Sequence, residues 1–234
     1  MEHIDAIAML QDPVRRRLYE YVAAQGREVG RNEAAEAAGV ARTLAAHHLD
    51  KLTEAGLLAS GSRRLTGRSG PGAGRPAKVY TRVSAEFEVS LPARDYRTAA
   101  ELLAEAAEEA GLDAGLRAAA RRRGEVLRGT AQPCRDLAGA VEALAARGYE
   151  PRLESVGGEE GAEGTEGAEV AAPVVRMRNC PFHAVAERYP PLVCGMNLAL
   201  LEGLLGTDGP VRARMDARPG ECCVIVEDSK NNDD

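Results

Sequence analysis

The sequence predicts an α+β chain with three segments, at residues 1–85, 86–130 and 131–234. Three observations lead to this prediction: two short helices that meet at Gly39, a strand, loop and strand that follow them, and a later mixture of helices and strands that carries all five cysteines. No run of about 18 apolar residues occurs, so we expect no membrane span. The first ten residues lack a basic segment, which argues against a secretion signal and favours a cytoplasmic protein.

Residues 33–52 predict two short helices joined by a tight turn. Residues 33–38 are rich in alanine, Gly39 is a natural helix stop, and apolar residues recur at helical spacing from Val40 onwards. Ala41 occupies the capping position of the second helix, where it is a poor cap. At about 100° per residue, one face of that helix is apolar. Its members are Val40, Leu44, Ala45, His48, Leu49 and Leu52.

The opposite face of the second helix is short, polar and moderately basic. A DNA major groove admits a helix of this build, so we predict that this is a recognition helix. The residues predicted to face DNA are Arg42, Thr43, Ala46, His47 and Lys51. A helical hairpin with a glycine turn is also common in small α-helical domains, so its flanking elements decide the interpretation.

Elements on both sides complete the order of a winged helix. Upstream, Asp12 and Pro13 predict a capped helix with a stripe of buried residues. Downstream, a strand after Gly56, a glycine-rich basic loop and a strand at 77–83 predict the wing. Arginines of the wing are expected to contact phosphate or the minor groove. These are Arg63, Arg64, Arg68 and Arg75.

The charge distribution agrees with a DNA-binding N-terminal segment. The net charge is −6, but residues 1–83 hold 13 Lys or Arg against 9 Asp or Glu, and residues 84–234 hold 17 against 27. The basic excess therefore coincides with the predicted recognition helix and wing. We expect the partner to be a double-stranded DNA operator, since phosphate contacts supply a sequence-independent part of the affinity.

Residues 86–130 predict a helical dimerisation segment. Helices are expected at 95–110 and 112–127, and they share a narrow apolar seam that is rich in alanine. The larger residues of this seam are Leu102, Leu103, Leu112, Leu116 and Val126. Packing within one chain would also use such a seam, but a winged helix that reads two half-sites requires a homodimer.

The third segment predicts an α/β domain with cysteines at the ends of its elements. We expect a helix at 136–147, strands near 148–153 and 170–178, and a disordered acidic loop at 157–169 between them. Cys180 follows the second strand, Cys194 begins a helix, and Cys222 and Cys223 head the last strand. Thiolates that meet from separate elements are typical of metal sites. Neighbouring residues on a strand face opposite sides, so we expect only one of Cys222 and Cys223 to join such a site.

The remaining ligand is left open by the sequence. His183, three residues after Cys180, is the first candidate, and Asp208 is another. Cys134 is isolated and is interpreted as a small buried residue. An enzyme with Cys180 as nucleophile and His183 as base is not expected, because no acid that orients the histidine is evident.

The segments GRPAKVY, NCPFHAVAERYPPLVCGMNLALLEGLL and PGECCVIV resemble the ArsR/DeoR-type winged-helix regulators, specifically the SufR group that represses iron–sulfur cluster assembly genes. The resemblance implies a homodimeric repressor with an iron–sulfur cluster in its C-terminal domain. It places Cys180, Cys194 and Cys223 at cysteine positions of the group. Where some members have a further cysteine, this chain has Asp208.

We therefore expect a transcriptional regulator that couples the state of an iron–sulfur cluster to operator affinity, with [4Fe–4S] favoured over [2Fe–2S]. Three cysteines and a histidine also suit zinc. A third alternative is a thiol redox switch in which Cys222 or Cys223 forms a disulfide.

Overall fold

The computed structural model describes residues 2–63, 76–155 and 172–229. The chain divides into two compact units, Met1–Arg94 and Asp95–Asp234. Three predicted DNA contacts, Arg64, Arg68 and Arg75, and the predicted acidic loop lie outside the described residues.

The first unit is a helical domain with a small antiparallel sheet. Its elements are α1 (Glu2–Ala8), a 3₁₀ turn (Met9–Gln11), α2 (Pro13–Gln25), β1 (Val29–Gly30), α3 (Arg31–Ala38), α4 (Arg42–Glu54), β2 (Leu58–Arg63) and β3 (Ala77–Arg82). The strand order is β1-β3-β2, and both pairings are antiparallel. Apart from the short β1, this is the element order predicted for residues 13–83, and α1 precedes it as a helix that the sequence reasoning did not foresee.

Local sequence signals explain the helix ends of this unit. Asp12 caps α2, because its carboxylate accepts hydrogen bonds from the N–H groups of Val14 and Arg15, each at 2.9 Å. Gly39 ends α3 with φ of 65°, a left-handed conformation that suits glycine. Ala41 precedes α4 and makes no side-chain capping bond with any described residue, as predicted.

The core of the first unit lies between α2, α3, α4 and the sheet. Five of the six residues predicted for the apolar face of α4 are buried or half-buried. Leu44 is a correction, since it lies in the first turn of α4 and 41% of it is exposed. On β3, the adjacent residues Val79 and Tyr80 are both buried.

In its described residues, 95–155 and 172–229, the second unit combines five helices with a four-stranded antiparallel sheet. Its elements are α5 (Tyr96–Glu109), α6 (Asp113–Arg128), α7 (Leu137–Ala145), β4 (Pro151–Ser155), β5 (Pro173–Met177), α8 (His183–Ala186), α9 (Pro190–Leu205), β6 (Val211–Met215) and β7 (Val224–Asp228). The strand order is β4-β5-β7-β6. Residues of α7 and α9 pack on one sheet face and form the core with Val175, Met177, Val224 and Val226.

Helices α5 and α6 belong to this second unit, which begins at Asp95. The reason is the close contact of α6 with α9. A Cβ added to Gly124 would lie 2.1 Å from the carbonyl oxygen of Leu200, and one added to Gly203 would lie 2.2 Å from that of Arg121. Only glycine lets the two helix backbones approach this closely.

Candidate nucleic-acid interface and thiol cluster

The exposed face of α4 carries the residues predicted to meet DNA. Arg42, Thr43 and His47 are exposed, and Ala46 and Lys51 are half-buried on the same helix. The Arg42 guanidinium makes no ion pair with any described residue, whereas Lys51 pairs with Glu54 at 3.0 Å. Arg42 is thus the cation of this face that is most readily available to a phosphate or a base edge.

A groove beside α4 extends the positive surface. It has a volume of about 1290 Å³ and lies between the start of α3 and the two wing strands. Its cationic lining consists of Arg27, Arg31, Arg42, Arg63 and Lys78. Arg63, the one predicted wing arginine within the described residues, pairs loosely with Glu28 at 3.5 Å. Such exposed pairs contribute little stability, so phosphate groups can compete for these cations.

A hydrogen-bond network fixes the recognition helix to the wing. The Tyr80 hydroxyl donates to Asp50 Oδ1 at 2.6 Å and accepts from Arg31 Nε at 2.9 Å. Lys78 also pairs with Asp50, at 2.8 Å. Burial raises the pKa of Tyr80 to about 12, with the Asp50 hydrogen bond as the next cause. Asp50 thus joins α4 to β3 and α3.

His48 lies on the buried side of α4, opposite the face predicted to contact DNA. It is buried on α4, next to the exposed His47, and its Nδ1 has no hydrogen-bond partner among the described residues. Burial lowers the pKa of His48, and the nearby Asp12 carboxylate opposes that shift. The neutral ring is therefore the form that suits this packing.

Four of the five free thiols of the second unit meet at one place, which we call the thiol cluster: Cys180, Cys194, Cys222 and Cys223. The sulfurs of Cys194 and Cys223 are 3.1 Å apart. Cys180 and Cys222 shift each other's pKa in opposite directions. A charge on Cys222 also contributes to the raised pKa of Cys194.

Backbone bonds hold the thiol-bearing segments in place. The N–H of Cys222 donates to the carbonyl of Met177 at the end of β5, at 3.0 Å, and the carbonyl of Cys223 accepts from Asp216 N–H at 2.8 Å. Both cysteines lie in the turn before β7. Strand alternation therefore does not apply to them, and the expectation that only one of them joins a metal site stays a prediction.

The pKa shifts of these thiols differ in direction. The hydrogen bond from Cys180 lowers the pKa of Cys222 to about 7, against the opposing effect of burial, and the same bond raises the pKa of Cys180. Burial and the neighbouring Cys223 raise the pKa of Cys194 to about 12. A thiolate at Cys222 is further supported by Asn197, whose Nδ2 donates to the sulfur at 3.4 Å.

Asn197 was missed by the sequence reasoning. It is buried inside α9, and its Oδ1 accepts a hydrogen bond from the Tyr149 hydroxyl. A signal for it exists in the sequence, because it is an isolated amide in the apolar run 192–205, three residues after Cys194. A buried amide in such a run requires polar partners.

The two non-cysteine candidates are both exposed. The His183 ring is 67% exposed and pairs with Glu187 at 3.2 Å, a carboxylate that the sequence reasoning did not connect with it. Asp208 is exposed beyond the C-terminus of α9, whereas Cys194 lies near its N-terminus. Eleven helical residues separate Cys194 from the end of α9, which is about 17 Å. Cys134 is half-buried against the core, and burial raises its pKa.

The thiol cluster has the chemistry of an iron–sulfur donor set, since cysteine thiolates are the usual ligands of such clusters. It differs from a site for one metal ion. Among the residues that the structure describes, no group of three or more His, Cys, Asp or Glu side chains is arranged to hold one. Two thiolates on a tetrahedral zinc are about 3.8 Å apart, so even Cys194 and Cys223 would have to separate slightly.

Comparison with known proteins bears on the first unit. Residues 10–60 match the family described as Helix-turn-helix domain. The match spans α2, α3 and α4, which include the exposed face described above, and it supports a DNA-binding transcriptional regulator. No curated protein and no solved structure matches the chain. Within the described ranges, none of the helices combines the length and apolarity needed to cross a bilayer.

Proposed function

We propose that the chain is a homodimeric transcriptional repressor, acting in the cytoplasm, that binds its operator through α4 and the wing and responds to an iron–sulfur cluster held by the thiol cluster. The observation that carries the DNA-binding part is the exposed face of α4 within the helix-turn-helix match. The observation that carries the sensing part is the convergence of four thiols from three separate segments. We do not propose an enzymatic activity.

Cys180, Cys194, Cys222 and Cys223 would hold the cluster. A bound cluster supplies iron that oxidants can remove, which suits a sensor. The protein's part is to bring thiols from three segments together and to bury two of them, Cys194 and Cys222, while Cys180 and Cys223 are half-buried. The Nδ2 of Asn197 also donates to the sulfur of Cys222. The nuclearity predicted from the resemblance, [4Fe–4S], is tested by the amounts of iron and sulfide per chain.

Exposed apolar side chains in and next to α5 and α6 support dimerisation. Leu102, Leu103, Leu112 and Val126 are between 54% and 72% exposed. Leucines this exposed on two neighbouring helices favour a protein partner. A second copy is the partner that a two-half-site operator requires.

Contacts inside the second unit connect the thiols to these helices. The α9 helix, which carries Cys194, is in backbone contact with α6 through Gly124 and Gly203. Arg188, which follows α8 and Cys180, pairs with Glu101 of α5 at 2.7 Å. A change at the thiols therefore reaches both helices of the proposed dimer surface. A hundredfold change in operator affinity needs about 2.7 kcal/mol of coupling.

The test is an anaerobic purification followed by a visible absorption spectrum and by iron, sulfide and zinc analysis of one sample. The proposal predicts a coloured protein with comparable amounts of iron and sulfide. Cys194→Ser should lose both, and Cys134→Ser, outside the thiol cluster, should retain them. A colourless wild-type protein with one zinc per chain would overturn the iron–sulfur assignment and leave the DNA-binding assignment standing.

A further inference from the structure

Three buried polar groups form a connected series of hydrogen bonds that ends at the thiol cluster. The Tyr149 hydroxyl donates to Asn197 Oδ1, and Asn197 Nδ2 donates to the sulfur of Cys222 at 3.4 Å. The three residues are 5%, 1% and 1% exposed, respectively. Tyr149 lies between α7 and β4, Asn197 lies in α9 and Cys222 precedes β7, so these bonds join three separate elements.

The two partners of Asn197 determine the orientation of its amide. A side-chain amide has one accepting end and one donating end, whereas a sulfur that carries no proton can only accept. The Tyr149 hydroxyl keeps its proton at neutral pH and donates it to Oδ1. The N–H end then faces Cys222. For a thiolate or an iron-bound sulfur, this is the orientation that gives both ends of the buried amide a partner.

The α9 helix supplies both a thiol of the cluster and this hydrogen-bond donor. Cys194 precedes Asn197 by three residues, a spacing that places two helical residues on one side. One element thus positions the sulfur of Cys194 and donates to the sulfur of Cys222, which comes from another segment. A buried amide is costly without partners, so the two bonds explain its place in the apolar run 192–205.

We propose that Asn197 is a positioning residue of the thiol cluster, oriented by Tyr149, which holds the sulfur of Cys222 as a hydrogen-bond acceptor and favours the reduced state of an iron–sulfur cluster bound there. The effect on the reduced state rests on the proposed function. Hydrogen bonds to charged acceptors are stronger than those to neutral ones. Because an added electron increases the negative charge on the ligating sulfurs, the bond from Asn197 strengthens on reduction and raises the reduction potential.

The hydrogen bond is tested in the full, reduced, chelator-treated chain, without iron. The sequence has five asparagines, so ¹⁵N labelling of asparagine gives a simple NMR spectrum of their side-chain amides. The Asn197 amide protons should exchange with water at least about tenfold more slowly than those of the exposed Asn32, which is the matched control. Cys222→Ala should move the Asn197 signal more than Cys223→Ala does. Exchange as fast as at Asn32, or a smaller shift for Cys222→Ala, would overturn the proposal.

The effect on reduction is tested by potentiometric titration of the iron-loaded chain, followed by visible absorption. The double variant Tyr149→Phe/Asn197→Leu replaces the hydroxyl and the amide by apolar groups of similar size, which preserves the packing. At the iron content of wild type, its reduced-to-oxidised ratio at one applied potential should be about tenfold smaller, a decrease of about 59 mV for one electron. Tyr149→Phe alone keeps the amide but loses the hydroxyl that orients it, and should show a smaller decrease.

Tyr189→Phe is the control for these variants, because it removes a hydroxyl at the start of the same helix, and it should keep the wild-type potential. Equal or higher potentials in both variants of Tyr149 would overturn the effect on reduction. A wild-type chain that binds no iron would overturn the proposed function and this effect together. The exchange measurement would still decide the hydrogen bond to Cys222, so the two failures are distinguishable.

Discussion

The close contact between α6 and α9 predicts that replacing Gly124 by alanine destabilises the protein. In Gly124→Ala the new Cβ would lie 2.1 Å from the carbonyl oxygen of Leu200 and 2.7 Å from the amide nitrogen of Leu204. Both are backbone atoms, so no side chain can rotate away, and the helices must part by about 1 Å. Overpacking lowers the free energy of unfolding by about 1–3 kcal/mol, whereas alanine in a helix raises it by up to about 1 kcal/mol relative to glycine. We expect a net loss of about 2 kcal/mol in the free energy of unfolding.

Gly115→Ala is the matched control on the same helix, because nothing lies within 4 Å of its added Cβ. We expect this variant to gain about 0.5–1 kcal/mol. Urea denaturation followed by circular dichroism compares the two variants with wild type. Equal stabilities for the two alanine variants would refute the backbone contact, and with it the proposed route from Cys194 to α6.

Three further predictions concern the first unit. Tyr80→Phe removes two hydrogen bonds to the charged Asp50 and Arg31, so urea denaturation should show a loss of about 2 kcal/mol, near the lower end for charged partners because the network is partly exposed. The His48 ring should titrate below the ordinary pKa of about 6.5 in an NMR pH series. Because the unfolded chain then binds more protons, the unfolding free energy should fall as pH falls below about 6.5. Arg42→Ala should weaken binding to a duplex selected from a random library by about 1–3 kcal/mol in a fluorescence anisotropy titration.

Each of these predictions has a control or a contradicting result. Tyr21→Phe, which loses one 3.1 Å bond to Glu33, should cost less than Tyr80→Phe, and the reverse order would contradict the network. A His48 pKa above the ordinary value would contradict its buried neutral state. Arg16→Ala changes a cation of α2 that bonds to the Leu10 carbonyl, and its duplex affinity should exceed that of Arg42→Ala.

Local signals in the sequence were sufficient for α2, α3, α4 and the two wing strands, but not for α1 or β1. The Asp12 cap, the Gly39 stop and the apolar spacing on α4 each act within a few residues, and each appears in the structure as predicted. Tyr80 shows the limit of such signals. Its burial and its bonds to Arg31 and Asp50 join residues 30 or more positions apart, which no local period encodes.

The thiol cluster was predictable as a set of cysteines at element ends, but its pairing was not. Strand alternation predicted that only one of Cys222 and Cys223 joins a metal site, but both residues precede β7, which begins at Val224, so the rule does not apply to them. The exposure of the His183 ring could not be predicted from the sequence either. Its i,i+4 spacing from Glu187 allows the observed ion pair, yet only the fold shows that the ring is exposed.

The central claim is that the state of the thiol cluster sets the affinity of α4 for DNA. The most direct test is an anaerobic anisotropy titration of one selected duplex with iron-loaded chain and with the same preparation after chelation. The account predicts binding at least about tenfold tighter for the loaded chain, equivalent to about 1.4 kcal/mol of coupling. Equal affinities for the two preparations, with iron loss verified, would contradict it.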